Sequence, residues 1–412
     1  MKKFNVKIAP SRLSGCVTAP PSKSISHRAL ICAALADGES VISNLAFSQD
    51  ILATVDVLRA IGAKIKKIDD STLNVLGIDG KPKSLSVLEC RESGSTLRFM
   101  IPICLLSPDE FKLSGSKKLL SRPLSVYSDI FKVRYCRPHG NTLTLLEGEP
   151  IKSGEYRLPG NVSSQFITGL LFALPLCRGE SKIIVEGDFE SASYIDLTLD
   201  SLQKFGIKVT RENNIFYING NQKYTPANVN IEGDASNAAF FEALNLIDCK
   251  VTVAGLNPSS LQGDMVFNKH FEALKAHSSE QIDLSNCPDL APILFSAAAL
   301  LGGGSFTHTD RLRLKESDRI SAMKEELEKF GARIEVIDGQ NGGTVNVLPA
   351  ELHAPKVPLS SHNDHRIAMS LSVLALRFGG EIEGAEAVRK SMPDFFENLE
   401  ALGAHITKTE TI

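Results

Sequence analysis

The stretch Ser163-Ser164-Gln165-Phe166-Ile167-Thr168-Gly169-Leu170-Leu171-Phe172-Ala173-Leu174-Pro175-Leu176-Cys177 decides how the chain folds. Three polar residues open directly onto an almost wholly apolar run, Phe166 to Cys177, long enough for three helical turns. Such a run tolerates no wet face, so it predicts a helix buried all round. Ser at its head is an N-cap residue. The same arrangement recurs at Ser22-Lys23-Ser24-Ile25-Ser26-His27-Arg28, Glu92-Ser93-Gly94-Ser95-Thr96, Asp234-Ala235-Ser236-Asn237, Asn286-Cys287-Pro288-Asp289 and Asn363-Asp364-His365-Arg366. The runs that follow include Ala29 to Ala36, Leu290 to Leu301 and Ile367 to Phe378. The six clusters begin 70, 71, 71, 52 and 77 positions apart, so a unit of about seventy residues is repeated six times. A helix N-terminus offers free N–H donors and a partial positive charge, which suits anions. Six of them, several carrying Lys or Arg, point to a protein that grips a highly anionic small molecule.

A second recurrence has the same period. Amphipathic helices end in Gly and lead into a strand at Leu58-Arg59-Ala60-Ile61-Gly62-Ala63-Lys64-Ile65 and Leu202-Gln203-Lys204-Phe205-Gly206-Ile207-Lys208-Val209. The pattern returns at Leu327-Glu328-Lys329-Phe330-Gly331-Ala332-Arg333-Ile334 and Leu399-Glu400-Ala401-Leu402-Gly403-Ala404-His405-Ile406. Gly in that place is a left-handed helix stop. Short alternating strands are predicted at Thr72 to Leu76, Thr142 to Leu146, Ile215 to Ile218 and Thr344 to Leu348. Each unit thus reads as buried helix, strand, surface helix, strand, turn, strand. Units of this kind bury their faces against neighbours, so three per domain are expected. The boundaries fall at Pro20-Pro21 and around Gly233-Asp234. The short fourth spacing implies that residues up to about 19 complete the second domain. The expected domains are therefore 21–232, and 1–20 with 233–412, with the inner helix ends aimed at a cleft that a ligand could close.

At 412 residues, two domains are the natural expectation. Hydrophobic content of 43% and charged content of 23% describe a globular chain. With 45 basic and 48 acidic residues the net charge is −3, which argues against a general nucleic-acid or membrane-surface binder. Eight scattered cysteines show no paired metal spacing and read as reduced thiols. The start lacks the apolar core of a signal peptide and no stretch reaches spanning length, so a cytoplasmic protein is expected.

Each chemical signal has a bland alternative. Lys23 and Arg28 with three hydroxyls could form a solvated helix end. Lys315-Glu316, with Arg319 one turn on, could be ordinary ion pairs at a helix start. Asp289 is an N-cap by default. Arg366 is harder to dismiss, because it heads a helix that should be buried and an unpartnered buried cation is costly. No Gly-x-x-x-x-Gly-Lys-Ser/Thr loop and no Gly-x-Gly-x-x-Gly after a strand occurs, so nucleotide use is not indicated. The lone cysteines and remaining histidines read as packing or surface.

Eleven segments in register resemble the 5-enolpyruvylshikimate-3-phosphate synthase family over the whole chain. They are Ser22-Lys23-Ser24-x-Ser26-x-Arg28, Ser93-Gly94-Ser95-Thr96-x-Arg98, Arg122-Pro123, Ser163-Ser164-Gln165-Phe166, Tyr194-Ile195-Asp196 and Glu232-Gly233-Asp234-Ala235-Ser236. Gln262-Gly263-Asp264, Pro288-Asp289, Lys315-Glu316-Ser317-Asp318-Arg319, Asn363-Asp364-His365-Arg366 and Lys390-Ser391-Met392-Pro393-Asp394 complete the set. The resemblance implies an α/β fold of two similar domains. Each would hold three βαβαββ units, helices inside and sheets outside, as an inside-out α/β barrel. The implied reaction moves the enolpyruvyl group of phosphoenolpyruvate to the 5-hydroxyl of shikimate 3-phosphate, on the way to chorismate and aromatic amino acids, with no metal and no cofactor.

The resemblance also implies roles. Lys23, Ser24, Arg28, Ser163, Ser164, Gln165, Ser191, Tyr194, Asp289 and Lys315 would hold shikimate 3-phosphate. Lys23, Gly94, Arg122, Gln165, Arg319, Arg366 and Lys390 would hold phosphoenolpyruvate. Asp289 would be the base for the hydroxyl, with Glu316 and Lys23 handling the other proton. The partners would be these two small molecules alone, with no nucleic acid or membrane, and the expected state is a monomer. Glu92, Asn237 and Phe99 depart from residues common in the family (Asn, Ser and Pro). Two rivals are a sister transferase acting on UDP-N-acetylglucosamine and a non-catalytic phospho-ligand or RNA-binding module. The first expects a Lys-Asn pair near the N-terminus and a reactive loop Cys, neither of which is evident here. The second is disfavoured by net charge and by the carboxylates among the cations.

Overall fold

The computed structural model describes residues 3–131, 138–139, 142–145, 147–339 and 342–411. The chain divides into two compact units, one made of Pro21–Glu232 and the other of Met1–Pro20 with Gly233–Ile412. Both are α/β with mixed sheets.

In the Pro21–Glu232 unit the described residues form three four-stranded sheets. Their strand orders are Val229–Asn230, Glu39–Ser43, Thr72–Leu76, Lys64–Asp69, then Leu88–Glu89, Phe111–Ser114, Thr142–Leu145, Pro138–His139, then Glu155–Pro159, Ser181–Glu186, Ile215–Ile218, Thr210–Glu212. In every sheet the first pair is parallel and the remaining pairs are antiparallel. Two of the parallel pairs are bridged by a buried helix, Gly94–Cys104 in one and Ser164–Ala173 in the other. The first sheet instead recruits Val229–Asn230 from the far end of the unit, with Val229 opposite Ile42.

The other unit repeats the pattern. Its two four-stranded sheets run Ile282–Asp283, Gly304–Thr307, Thr344–Leu348, Arg333–Ile337 and Leu359–Ser360, Gly380–Glu383, Lys3–Ile8, Ile406–Thr411. The second takes its third strand from the start of the chain, Val6 lying opposite both Ile382 and Lys408. The fourth repeat, shortened to 52 residues, has no hairpin of its own. Its Lys250–Ala254 strand pairs in parallel with Ser14–Thr18.

The inner helices are buried nearly all round: Ile25 to Leu35 in the Lys23–Leu35 helix, and His365 to Leu376 in the His365–Phe378 helix. The Lys23–Leu35 helix packs on the Ala192–Lys204 and Gln49–Ala60 helices. The Gly94–Cys104 helix packs on Ser164–Ala173, and Ala291–Leu301 on His365–Phe378. The expected helix stops hold, with Gly62, Gly206, Gly331 and Gly403 at φ of 114°, 79°, 90° and 107°. No helix among the described residues is long and apolar enough to cross a membrane.

Several expectations need correction. The Phe166–Cys177 run is not one helix: Pro175 lacks an amide hydrogen, and the α-helix stops at Ala173 before a tighter turn over Leu174–Leu176. The strand expected from Ile207 begins at Thr210. Thr142–Leu145 is a strand, and Leu146 lies outside the described residues. Between Phe111–Ser114 and the hairpin, the expected surface helix is replaced by two short ones, Lys117–Leu120 and Ser125–Ile130, with Arg122 in the link.

Candidate active site

In the Pro21–Glu232 unit, the Lys23–Leu35 helix starts after Ser22 in extended conformation. Lys23 Nζ lies 2.9 Å from Asp50 Oδ2, at the start of the Gln49–Ala60 helix. One turn on, buried Arg28 donates from Nε to Thr198 Oγ1 (2.9 Å), from Nη1 to the Ser24 carbonyl (2.7 Å) and from Nη2 to the Tyr194 carbonyl (2.9 Å). Burial brings Arg28 down to about 10, with Tyr194 and Cys32 pulling the other way, so it stays cationic at neutral pH. Ser191, left-handed at φ 59°, turns the chain into the Ala192–Lys204 helix that carries Tyr194.

The Gly94–Cys104 helix start gathers a second set. Arg98 Nη1 donates to Gln165 Oε1 at 2.7 Å, and Gln165 Nε2 to Ser95 Oγ at 3.0 Å. A methyl group on Gly94 would stand 2.9 Å from Arg122 Nη1, 3.7 Å from Arg98 Nη1 and 3.8 Å from Gln165 Oε1. The missing side chain is what lets the Arg122 guanidinium lie against the helix end. Ser163 caps the Ser164–Ala173 helix, its Oγ accepting from the Gln165 N–H. A buried chain joins these helix starts: His27 Nδ1 to Thr54 Oγ1, Thr54 to Thr96 Oγ1, and Thr96 to Ser93 Oγ, each 2.7 Å. Burial first, then Lys23 and Arg28, hold His27 well below its ordinary value, hence neutral.

In the other unit the charges interlock. Asp289 Oδ1 accepts from Arg319 Nη1 at 2.9 Å and lies 3.4 Å from Lys315 Nζ, while Oδ2 accepts from Arg366 Nη2 at 2.9 Å. Arg319, 1% exposed, also reaches Glu316 Oε2 (2.8 Å) and Asp364 Oδ2 (2.9 Å). Asp364 caps the His365–Phe378 helix through the Arg366 N–H and takes the Ser317 hydroxyl as well. Arg366 Nη2 further donates to Ser236 Oγ at 3.0 Å, and Lys390 Nζ to the Asn363 carbonyl at 2.6 Å. Burial opposes charge on Arg319, yet Asp364, Glu316 and Asp289 raise its pKa above the usual guanidinium range. Burial is the largest influence on Asp364 and pushes it up, but the charge and hydrogen bond of Arg319, with His365, together keep the carboxyl below its ordinary value.

Two local readings fail here. Asp289 is not the helix N-cap: Pro288 opens a tight Pro288–Leu290 turn ahead of the Ala291–Leu301 helix, whose N-cap is Leu290, and the carboxylate meets Lys315, Arg319 and Arg366. Lys315 and Glu316 precede their helix, which starts at Arg319 behind the Asp318 cap. The structure does group the residues picked out by sequence: Lys23, Ser24, Arg28 and Tyr194 in one set, Gly94, Arg122, Gln165 and Ser163 in the next, and Asp289, Lys315, Glu316, Arg319 and Arg366 in the third. Asp50, Arg98 and Asp364 were missed as members. Asp364 had a signal, an acid two residues before a buried Arg. Asp50 had none, being 27 residues from Lys23. Asp264 was missed too; burial and then Asp289 push its carboxyl up to about 7, against Arg366 and Lys315.

Buried helices starting on interlocked cations and carboxylates, in two α/β units, define a protein built to handle small anions. The fold is that of a solved EPSP synthase from Acinetobacter baumannii, at a TM-score of 0.78 and 24% identity over 98% of this chain and all of that one (100%). The family model for EPSP synthase (3-phosphoshikimate 1-carboxyvinyltransferase) matches residues 8–399. Relatives named 3-phosphoshikimate 1-carboxyvinyltransferase agree. One from Clostridium perfringens is 41% identical over 432 residues, covering 98% of this chain and 99% of its own. One from Clostridium acetobutylicum is 41% identical over 423 residues, covering 97% and 98%. The chain belongs to the EPSP synthase family.

Proposed function

We propose that the chain transfers the enolpyruvyl group of phosphoenolpyruvate to the 5-hydroxyl of shikimate 3-phosphate, giving 5-enolpyruvylshikimate 3-phosphate and phosphate. This is a step towards chorismate and the aromatic amino acids. The observation that carries the proposal is the carboxylate of Asp289 set among Arg319, Arg366 and Lys315, in a chain matched by that family from residue 8 to 399. In the same reading each unit is three βαβαββ repeats with helices inside. The shared strand order and the all-round burial of the inner helices support it.

Phosphoenolpyruvate carries a phosphate and a carboxylate, and planar Arg forks match both. Arg122, Arg319, Arg366 and Lys390 are the proposed holders, with Lys23, Gly94 and Gln165. Lys23, Ser24, Arg28, Ser163, Ser164, Gln165, Ser191, Tyr194 and Lys315 take shikimate 3-phosphate. Asp289 accepts the 5-hydroxyl proton as the oxygen attacks C2, and a proton passes to the methylene carbon from Glu316 or Lys23. Elimination then removes a proton from that carbon and expels phosphate, so the same groups serve in reverse.

Purified protein is expected to release phosphate from phosphoenolpyruvate only with shikimate 3-phosphate present, and equally well in a chelator. Turnover of the same size with UDP-N-acetylglucosamine would instead place it with the sister activity. Gly94→Ala is expected to lower kcat/KM for phosphoenolpyruvate on the order of 10- to 100-fold, since the methyl displaces Arg122. The displaced atom is the end of a flexible side chain, so the melting temperature should hardly move. An unchanged kcat/KM would remove Arg122 from the site.

A further inference from the structure

The turn ahead of the His365–Phe378 helix holds two consecutive non-glycine residues in the left-handed region, His362 (φ 49°) and Asn363 (φ 54°). Such backbone persists only where its surroundings over-determine it. Here they do. Glu326, on the Arg319–Glu328 helix and with its side chain wholly buried, faces the turn. Its Oε1 lies 2.9 Å from His362 Nε2, and since a carboxylate only accepts, that nitrogen carries the proton. Its Oε2 accepts from the Ser360 N–H at 2.9 Å. The hydroxyls of Ser360 and Ser361 accept from the N–H groups of His362 (3.1 Å) and Asn363 (3.2 Å).

The turn delivers three groups of the candidate site. The Asn363 carbonyl receives Lys390, Asp364 receives Arg319, and Arg366 sits in the first helical turn. Glu325, Glu326 and His362 also offer ligand atoms within 4.8 Å of one another, as a metal site would. However, Lys329 Nζ already reaches both Glu326 oxygens, at 2.8 and 2.9 Å, and supplies the positive charge. Burial pushes Glu326 up, but hydrogen bonds from His362, Lys329 and Ser360 hold it below the usual carboxyl range.

We propose that Glu326 and His362 are positioning residues: their hydrogen bond fixes the left-handed turn that aims Lys390 and Arg366 at phosphoenolpyruvate, a role that rests on the functional reading above. His and Asn both tolerate left-handed backbone better than most residues, so the rival explanation is that position 362 needs only that conformation. Three variants separate the two. His362→Gly keeps the conformation and loses the hydrogen bond. His362→Ala loses both. His362→Gln keeps an N–H donor at the end of its side chain.

The expected result is a rise of roughly 10-fold in KM for phosphoenolpyruvate in both the Gly and Ala variants. KM for shikimate 3-phosphate should stay within about 2-fold, and Gln should recover most of the loss. A Gly variant equal to wild type, or equal rises in both KM values, would overturn the proposal. If wild type shows no phosphate release at all, the functional reading fails by itself. The positioning claim is then decided by crystal structures of wild type and His362→Ala. A displaced Asn363 carbonyl and Arg366 support it, and an unmoved turn refutes it.

Discussion

Asp289→Asn is expected to lower turnover by ~10²–10⁴-fold, the usual cost of losing a general base, without weakening phosphoenolpyruvate binding. The second half follows from the contacts. Asp289 receives Arg319 on one oxygen and Arg366 on the other, both at 2.9 Å. An Asn has one oxygen and one NH₂ group, and the NH₂ cannot accept from a guanidinium. One of the two arginines therefore loses one of its internal acceptors, keeping Glu316 and Asp364 (Arg319) or Ser236 (Arg366), and turns more readily to a ligand anion. The net charge of the cluster also becomes more positive by one. Steady-state kinetics and calorimetry on the variant check both halves. Unimpaired turnover removes Asp289 as the base. A large rise in KM with kcat unchanged would make it a binding residue only.

What the sequence shows and what it hides divide along physical lines. Helix stops at Gly62, Gly206, Gly331 and Gly403 are legible because left-handed backbone selects glycine locally. The strands Thr72–Leu76, Ile215–Ile218 and Thr344–Leu348 are legible because alternation reports a half-buried sheet. The cluster period is legible because every repeat needs a polar helix start under an apolar run. Partnerships are another matter. Arg98 meets Gln165 across 67 positions and Arg366 meets Asp289 across 77, pairs that only tertiary packing creates. Asp289 misleads because an acid after Pro at a helix start looks like a cap. The tight Pro288–Leu290 turn sends its carboxylate elsewhere. The family resemblance implies which residues share the site, and tertiary packing sets which of them meet.

Arg319→Ala is expected to be the most damaging single change in stability, costing ~3–5 kcal/mol as the removal of one partner from a buried ion network does. Its guanidinium holds Asp289, Glu316 and Asp364 within 2.9 Å, and Asp364 is fully buried. The loss has a diagnostic pH dependence. In wild type, Asp364 is held below its ordinary value by Arg319. Its contribution is therefore present above about pH 4, the unfolded value, and is lost as pH falls through the lower folded value. Without Arg319, burial pushes the same carboxyl up. Its contribution then reverses, being present at low pH and lost as pH rises. The gap in melting temperature between wild type and Arg319→Ala should therefore widen from pH 4 to pH 7. Arg319→Lys should close part of the gap, because an ammonium restores charge but cannot face three carboxylates with a planar fork. A gap that stays constant or narrows across that range would mean Asp364 is not held by Arg319. Turnover should fall with either substitution, since the group lost from Asp364 is also one of those proposed to hold phosphoenolpyruvate.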